Sequence, residues 1–140
     1  MLPLRLVLDT NVVVSAAIRP TGLQRTVLTL ALTKPSRLYI SQPILDEYRD
    51  VLARARFRIP KGLRQQFLQQ INDRSHQVAP LLKLAVAHDP DDNIFIECAD
   101  AARADYLITG NQKHFPKFWK QTKVITSREF ISLVAPHLTT

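Results

Sequence analysis

Short runs of β-forming residues alternate along this chain with longer stretches of helical periodicity, and this alternation is the feature that most limits its fold. The runs cover residues 4–8, 37–40, 105–109 and 123–126. Strands that alternate with helices are typical of βαβ units, which build a mostly parallel sheet. We therefore predict an α/β fold with a mostly parallel sheet of roughly four or five strands and about six helices.

Polar residues that can cap helices stand at several points between the runs. Thr21 followed by Gln24 matches a capping box, which predicts a helix that opens there and continues to about residue 33. Ser41 can cap the next helix, and Thr126 with Glu129 matches a capping box for the last one.

Apolar spacing predicts a further helix, but it leaves the secondary structure of one other segment undecided. Leu63, Phe67 and Ile71 recur every four residues, which predicts a helix across residues 61–74. The apolar run at residues 84–86 is ambiguous, because a run this short has no clear period. A strand is one interpretation of it.

Length and composition indicate one domain across residues 1–140. A hydrophobic content of 46% with 22% charged residues is that of an ordinary soluble protein. No apolar stretch approaches the ~20 residues that span a bilayer, and the opening MLPLRLVLD is too short and too early charged for a signal peptide. Cys98 is the only cysteine, which excludes an internal disulfide and suits a core position. We expect a cytoplasmic protein with no membrane segment.

The charge balance favours a polyanionic partner. Nineteen lysines and arginines face twelve acidic residues, giving a formal net charge of +7 and a pI near 10.0. The basic residues concentrate in two segments, 54–64 and 113–123. Cations placed on phosphates release counterions, so nucleic acid is one interpretation; solvated helix faces and loops are the other.

Polar residues follow two of the expected strands at their carboxyl ends. Asp9 ends the first run, and Thr109 to Asn111 follow a later one. In open parallel sheets the ligand site lies outside the carboxyl ends of the strands, where the strand order reverses. We expect these groups at one edge of the sheet.

The segment HDPDDN, residues 88–93, places three aspartates within four positions. Asp89, before a proline, suits a turn, and Asp91 suits the N-cap of a helix that runs from about residue 92 to 103. Asp92 falls in the first helical turn at the margin of the buried stripe, where the helix dipole favours an anion.

Another carboxylate, Glu47, falls at the margin of an apolar helical stripe. Asp46 and Asp50 lie nearly opposite that stripe and should face water. From its margin, Glu47 can reach a cleft, although an exposed, helix-favouring glutamate is an equally open interpretation.

Several other site types do not fit the sequence. Asp89, Asp91 and Asn93 have the spacing of a calcium loop, but Ile94 stands where that loop needs glycine and Asp100 where it needs glutamate. No phosphate-binding glycine loop is present, and the histidines lack zinc-ligand spacing.

Three segments, in this order, carry a family resemblance: LVLDTNVVVSAAI, ILDEYRDVL and DPDDNIFIECADAARADYLITGN. Together they resemble PIN domains, and among these the bacterial and archaeal group regarded as toxin components of toxin–antitoxin pairs. The similarity extends from Leu4 to about Phe130. The resemblance implies a three-layer α/β/α sandwich around a mostly parallel sheet.

The resemblance also implies a ribonuclease that depends on Mg²⁺ or Mn²⁺ held in an acidic pocket. Asp9, Glu47 and Asp92 fall on acidic positions of the family and are the implied metal ligands and catalytic residues. Asn111 stands at a fourth position that is acidic in the family. An amide can orient a water but adds no negative charge, which puts a second metal in doubt.

The implied reaction is hydrolysis of an RNA phosphodiester by a water that Asp92 or Asn111 orients, with the metal held by Asp9 and Glu47. The implied partners are RNA, an antitoxin protein and a second copy in a homodimer.

Two further residues and three alternatives remain open. Asn11 and Thr109 could fix the site carboxylates, and a plain turn role is equally open for both. The main alternative function is a PIN-like module that binds nucleic acid without cutting it, for which Asn111 is the argument. A nuclease directed at DNA and a non-enzymatic partner of a complex are the others.

Overall fold

A computed structural model describes residues 3–138 of the chain. The strands are β1 (Arg5–Leu8), β2 (Arg37–Ile40), β3 (His76–Gln77), β4 (Tyr106–Ile108), β5 (Phe118–Trp119) and β6 (Thr122–Ile125). The α-helices are α1 (Thr10–Ile18), α2 (Leu23–Ala31), α3 (Gln42–Leu52), α4 (Lys61–Arg74), α5 (Asn93–Ala102) and α6 (Ser127–Val134). Short 3₁₀ helices cover Ala55–Phe57, Pro90–Asp92, Gln112–His114 and Pro136–Leu138.

The strands form one six-stranded sheet in the order β3-β2-β1-β4-β6-β5. All neighbouring pairs are parallel except β5 with β6. Helices flank the sheet, which confirms the three-layer α/β/α fold predicted from the sequence. The predicted strand number was too low, because β3 and β5 have only two residues each and are too short to carry a period.

The strand order reverses between β1 and β4. From β1 the chain adds β2 and then β3 on one side, whereas β4 and β6 lie on the other. In sheets of this type the ligand crevice lies outside the carboxyl ends of the strands at such a reversal, which here are the ends of β1 and β4.

The core is continuous beneath this crevice. Leu6, Val7 and Leu8 are fully buried, as expected for a parallel strand covered on both faces. Helix α5 packs against β1, β2 and β4, and its Cys98 lies in the core as predicted. In residues 3–138, no helix has the length and apolar character needed to cross a membrane.

Two of the four predicted helix caps are confirmed. Ser41 accepts a hydrogen bond from the Ile44 N–H, and Thr126 forms a reciprocal capping box with Glu129. The capping box at Thr21 was wrong, because Gly22 occupies that N-cap and helix α2 begins at Leu23.

Gln24, the other half of that expected box, takes part in a tertiary contact instead. Its side-chain oxygen accepts a hydrogen bond from the hydroxyl of Ser127, at the start of α6. The side chain therefore joins two helices rather than closing its own.

The run at residues 84–86 forms no strand. The Leu84 N–H donates to the carboxylate of Glu97, at 2.8 Å. The N–H groups of Val86 and Ala87 both donate to the side-chain oxygen of Asn93, at 3.0 and 2.9 Å. Side chains of α5 thus satisfy the backbone donors that a strand would have given to a neighbour.

Candidate functional site

Asp9 is fixed at the end of β1 from several directions. Its backbone N–H donates to the Ile108 carbonyl of β4, at 3.0 Å. One carboxylate oxygen accepts from the Thr10 N–H at 2.7 Å, so Asp9 also caps α1. The other oxygen accepts from the hydroxyl of Thr109, at 2.7 Å. The residue is only 6% exposed.

Burial raises the pKa of Asp9 above its ordinary value, and this effect exceeds all others at the residue. The hydrogen bonds from Thr109 and Thr10 lower that pKa, as does the charge of His114. Burial disfavours the ionised form of this carboxylate, so a nearby cation would stabilise that ionised form.

Glu47 is joined to Asp9 through Thr10. The Thr10 hydroxyl donates to a carboxylate oxygen of Glu47, while the backbone N–H of the same threonine donates to Asp9. The neighbouring Tyr48 is fully buried, and its hydroxyl donates to the Leu8 carbonyl, which seats α3 against the end of β1. The half-buried side chain of Glu47 therefore faces the crevice.

Burial is also the largest cause that raises the pKa of Glu47. The hydrogen bond from Thr10 lowers this pKa, and the charge of Asp9 raises it again. On the same helix Asp46 and Asp50 are exposed, which confirms that they face water.

Asp92 arrives from a different part of the chain. The 3₁₀ turn Pro90–Asp92 runs directly into α5, and the Asp89 carboxylate accepts from the Asp91 N–H at 3.0 Å. Asp89 is thus the turn residue that the sequence predicted. The assignment of Asp91 as N-cap was wrong, since that side chain is exposed and α5 begins at Asn93 after the capped turn.

The pKa of Asp92 is raised to about 6. Burial is the largest cause, followed by the negative charges of Asp9 and Asp89, while His114 lowers the pKa and Glu47 raises it. Asp9, Glu47 and Asp92 are therefore close enough for their charges to act on one another.

His114 is a residue of this region whose position the sequence did not predict. Its Nδ1 lies 3.8 Å from a carboxylate oxygen of Asp92, and its backbone carbonyl accepts from the His88 N–H at 2.8 Å. From the sequence it counted only as one member of the basic segment 113–123. Thr10 was missed in the same way, although it adjoins Asp9 in the motif LDTN.

The remaining predicted residues lie at the end of β4 and the start of α1. Asn111 is exposed, and its backbone N–H donates to the Thr109 hydroxyl at 2.9 Å. Asn11 accepts from the Gly110 N–H at 3.3 Å, so it holds the turn after β4 rather than a carboxylate. Asn11 and Thr109 were both predicted as residues that could fix the site carboxylates, and it is Thr109 that contacts one of them, Asp9.

The sequence model of the PIN domain family matches residues 5–113. The chain belongs to the PIN domain family. No curated protein matches the sequence significantly. This PIN domain is also similar to a chain in the crystal structure of VapBC2 from Rickettsia felis bound to a DNA fragment from their promoter. The TM-score is 0.62 at 19% identity, over 88% of this chain and 98% of that one, which shows a shared fold.

PIN domains are in general metal-dependent nucleases, and the crevice has the donor chemistry for a hard cation. Within residues 3–138, no three acidic, histidine or cysteine side chains meet closely enough to enclose a metal ion by themselves. Mg²⁺ does not require such a cage, because it binds through one or two carboxylates and keeps several waters. Asp9 and Glu47, which both accept hydrogen bonds from Thr10, supply two carboxylates. Asp92 supplies a third, whose pKa is raised by the negative charges of the other two.

Proposed function

We propose that this PIN domain is a ribonuclease that depends on Mg²⁺ or Mn²⁺ and acts as the toxin of a toxin–antitoxin pair. The observation that carries the proposal is the convergence of Asp9, Glu47 and Asp92 on the crevice where the strand order reverses. Three partly buried carboxylates without a counter-charge destabilise a fold, so a site that keeps them suits a cation and its phosphate substrate.

The proposal assigns metal binding to Asp9 and Glu47, with Asp92 completing the acidic surface. When bound, Mg²⁺ or Mn²⁺ supplies an activated water and a positive charge beside the phosphate. Thr10 holds the first two carboxylates in register, since one residue donates to both of them. Thr109 fixes the remaining oxygen of Asp9.

Asp92 orients the attacking water and accepts its proton at a carboxylate oxygen. A carboxylate with a pKa of about 6 is mostly ionised at neutral pH and is a stronger base than an ordinary aspartate. Asn111 can position the same water through its amide, but it cannot accept the proton.

The net charge of +7 supports a nucleic-acid substrate, because phosphate binding gains from the release of counterions. RNA is the proposed substrate and the cytoplasm the proposed setting. The likeness to a chain of the VapBC2 complex supports a partner protein in the role of antitoxin. A homodimer is part of the same proposal.

A second function has one observation in its favour. Asn111 is exposed at the crevice in place of the acidic residue of the family, which lowers the negative charge available to a second metal. A domain that binds nucleic acid without cutting it is the resulting alternative.

Cleavage of labelled RNAs and single-stranded DNAs in Mg²⁺, Mn²⁺ or EDTA separates these functions. We expect RNA cutting that requires metal and that is abolished by Asp9→Asn or Glu47→Gln. Asp50→Asn, an exposed change on the same helix as Glu47, is the matched control and should cut normally. Salt-sensitive binding with no cutting in any metal would support the binding module, and preference for DNA would reassign the substrate.

A further inference from the structure

His114 lies beside the acidic residues of the proposed site and has no part in the metal binding described above. Its Nδ1 is 3.8 Å from a carboxylate oxygen of Asp92. The charge of His114 lowers the pKa of Asp92 and also that of Asp9, which stands at the end of β1. The imidazole is therefore within electrostatic range of carboxylates that come from two different elements.

The backbone of His114 joins two chain segments that flank the proposed site. Its N–H donates to the Asn111 carbonyl at 3.0 Å, and its carbonyl accepts from the His88 N–H at 2.8 Å. The next residue, Phe115, is only 7% exposed, and its ring meets the ring of Phe95 in α5 edge to face, with 6.5 Å between the centroids. The position of His114 relative to α5 is thereby fixed.

The other end of the same 3₁₀ turn is attached to different elements. The side-chain nitrogen of Gln112 donates to the Val124 carbonyl of β6 at 3.3 Å and to the Glu129 carboxylate of α6 at 3.0 Å. The turn Gln112–His114 is thus held from both ends. A side chain on a turn held in this way is preorganised to meet a bound molecule.

The ring of His114 keeps both a donor and access to solvent. Hydrogen bonds from nitrogen to oxygen span roughly 2.7–3.2 Å, so at 3.8 Å the carboxylate of Asp92 does not use the ring N–H. The side chain is 48% exposed. An imidazole carries at least one N–H whether it is neutral or charged. His114 can therefore donate a hydrogen bond to a molecule bound at the site.

We propose that His114 donates a hydrogen bond from its imidazole to a non-bridging oxygen of the phosphate that binds at Asp9, Glu47 and Asp92. The inference rests on the proposed ribonuclease function and adds a residue that contacts the substrate. Ionised carboxylates only accept hydrogen bonds, so the acidic side chains offer a phosphate no donor of their own. The imidazole N–H supplies a donor on the side of the site where Asp92 lies.

Two other roles for His114 lead to different expectations. If the imidazole were a metal ligand, its removal would weaken the binding of Mn²⁺ in the absence of RNA. If it served only as a counter-charge to Asp92, replacement by asparagine would have the same effect as replacement by alanine. A phosphate donor differs from both, because the amide nitrogen of asparagine can donate in place of Nδ1.

Fluorescence anisotropy of a short labelled RNA in Mg²⁺ measures the contact directly. Every protein in the comparison carries Asp92→Asn, so that the RNA stays intact. We expect His114→Ala to weaken RNA binding about tenfold, the effect of losing one hydrogen bond to a charged group, and His114→Asn to retain most of the affinity. With Asp92 intact, His114→Ala should lower kcat/KM for cleavage by at least about tenfold.

His88→Asn is the matched control. The His88 ring is exposed, with its centroid 6.4 Å from that of His114, and no ion pair within residues 3–138 includes it. The variant keeps the backbone N–H that bonds to His114, so it should bind RNA as the wild type does.

Titration calorimetry with Mn²⁺ alone is the second measurement. His114→Ala should bind Mn²⁺ at least as tightly as the wild type, because it removes no metal ligand. The His114 side chain is exposed, so the variant should also unfold at the wild-type temperature. His114→Leu, which lacks a donor but fills a similar space, takes its place if the alanine protein does not fold.

Unchanged RNA binding in His114→Ala would overturn the inference, as would an equal loss in His114→Asn or in His88→Asn. Weaker Mn²⁺ binding in His114→Ala would overturn it by identifying a metal ligand. If RNA binding in Mg²⁺ depends on His114 but the wild type cuts no RNA in any metal, the phosphate contact stands and the ribonuclease fails. Metal-dependent cutting that His114→Ala leaves unchanged would have the reverse meaning.

Discussion

The hydroxyl of Thr109 donates a 2.7 Å hydrogen bond to the carboxylate of Asp9 across 100 residues of sequence. Both side chains are buried, and each ends a neighbouring parallel strand. The bond joins the two halves of the sheet at the point where the strand order reverses. It also holds the first carboxylate of the proposed site in one orientation.

Replacing Thr109 with valine removes this bond at nearly constant volume. We expect Thr109→Val to lower the free energy of unfolding by about 2 kcal/mol, since hydrogen bonds to charged groups contribute roughly 1.5–3 kcal/mol. Chemical denaturation measures the change. Thr109→Ser keeps the hydroxyl and is the control; equal stability of the valine variant and the wild type would show that the bond contributes nothing.

Asp92 should make the metal-free protein less stable as the pH rises. Its folded-state pKa of about 6 exceeds the ordinary 3.8, so between these values the folded protein binds more protons than the unfolded one. Stability from this group is present below pH ~4 and is lost as the pH rises through about 6. Because the side chain is partly exposed and its charge is screened, we expect a loss of about 1 kcal/mol.

Asp92→Asn should abolish that loss. Measured in EDTA, the variant should gain stability relative to the wild type between pH 4 and pH 7.5. A difference between the two proteins that is independent of pH would contradict the prediction. Addition of Mg²⁺ should stabilise the wild type at pH 7.5 more than the variant, because the cation offsets the same charge.

Restoring an acidic residue at position 111 should strengthen metal binding. Asn111→Asp adds a negative charge at the edge of the crevice, and we expect about fivefold tighter binding of Mn²⁺, equivalent to about 1 kcal/mol. Titration calorimetry measures the affinity. Asn111→Ala is the control, and should bind Mn²⁺ as the wild type does; the proposal of a site at this edge fails if the aspartate has no effect.

The first two aspartates of the DPDD segment should differ in their effect on stability. Asp89 caps the 3₁₀ turn that leads into α5, so Asp89→Ala should cost about 1 kcal/mol. Asp91 is exposed and accepts no capping bond from α5. Asp91→Ala should therefore leave the midpoint of thermal unfolding within a degree or so of the wild-type value.

Local patterns predicted most of the fold. The spacing of Leu63, Phe67 and Ile71 marked α4 with its observed bounds, and the runs at residues 4–8 and 37–40 marked β1 and β2. These elements have strong periods or continuous burial, which are visible in a single sequence. The edge of the sheet to which Asp9 and Thr109 belong followed from the order of the elements alone.

The errors lie where a distant partner decides the local structure. Gln24 bonds with Ser127 on another helix, and the backbone at Leu84 bonds with Glu97 of α5. Neither contact can be predicted from the pattern of neighbouring residues in the sequence. The same applies to the site, where the link from Thr10 to Glu47 depends on how α3 packs, and no spacing within the chain reports it.

The join between Asp9 and Thr109 also has a consequence for protein synthesis. Asp9 leaves the ribosome early, but Thr109 follows 100 residues later, and β4 must still emerge and pair with β1 before the two can meet. A nascent chain that stops short of β4 has neither this hydroxyl nor Asn111. The proposed site therefore stays incomplete until β4 has been synthesised and has paired with β1.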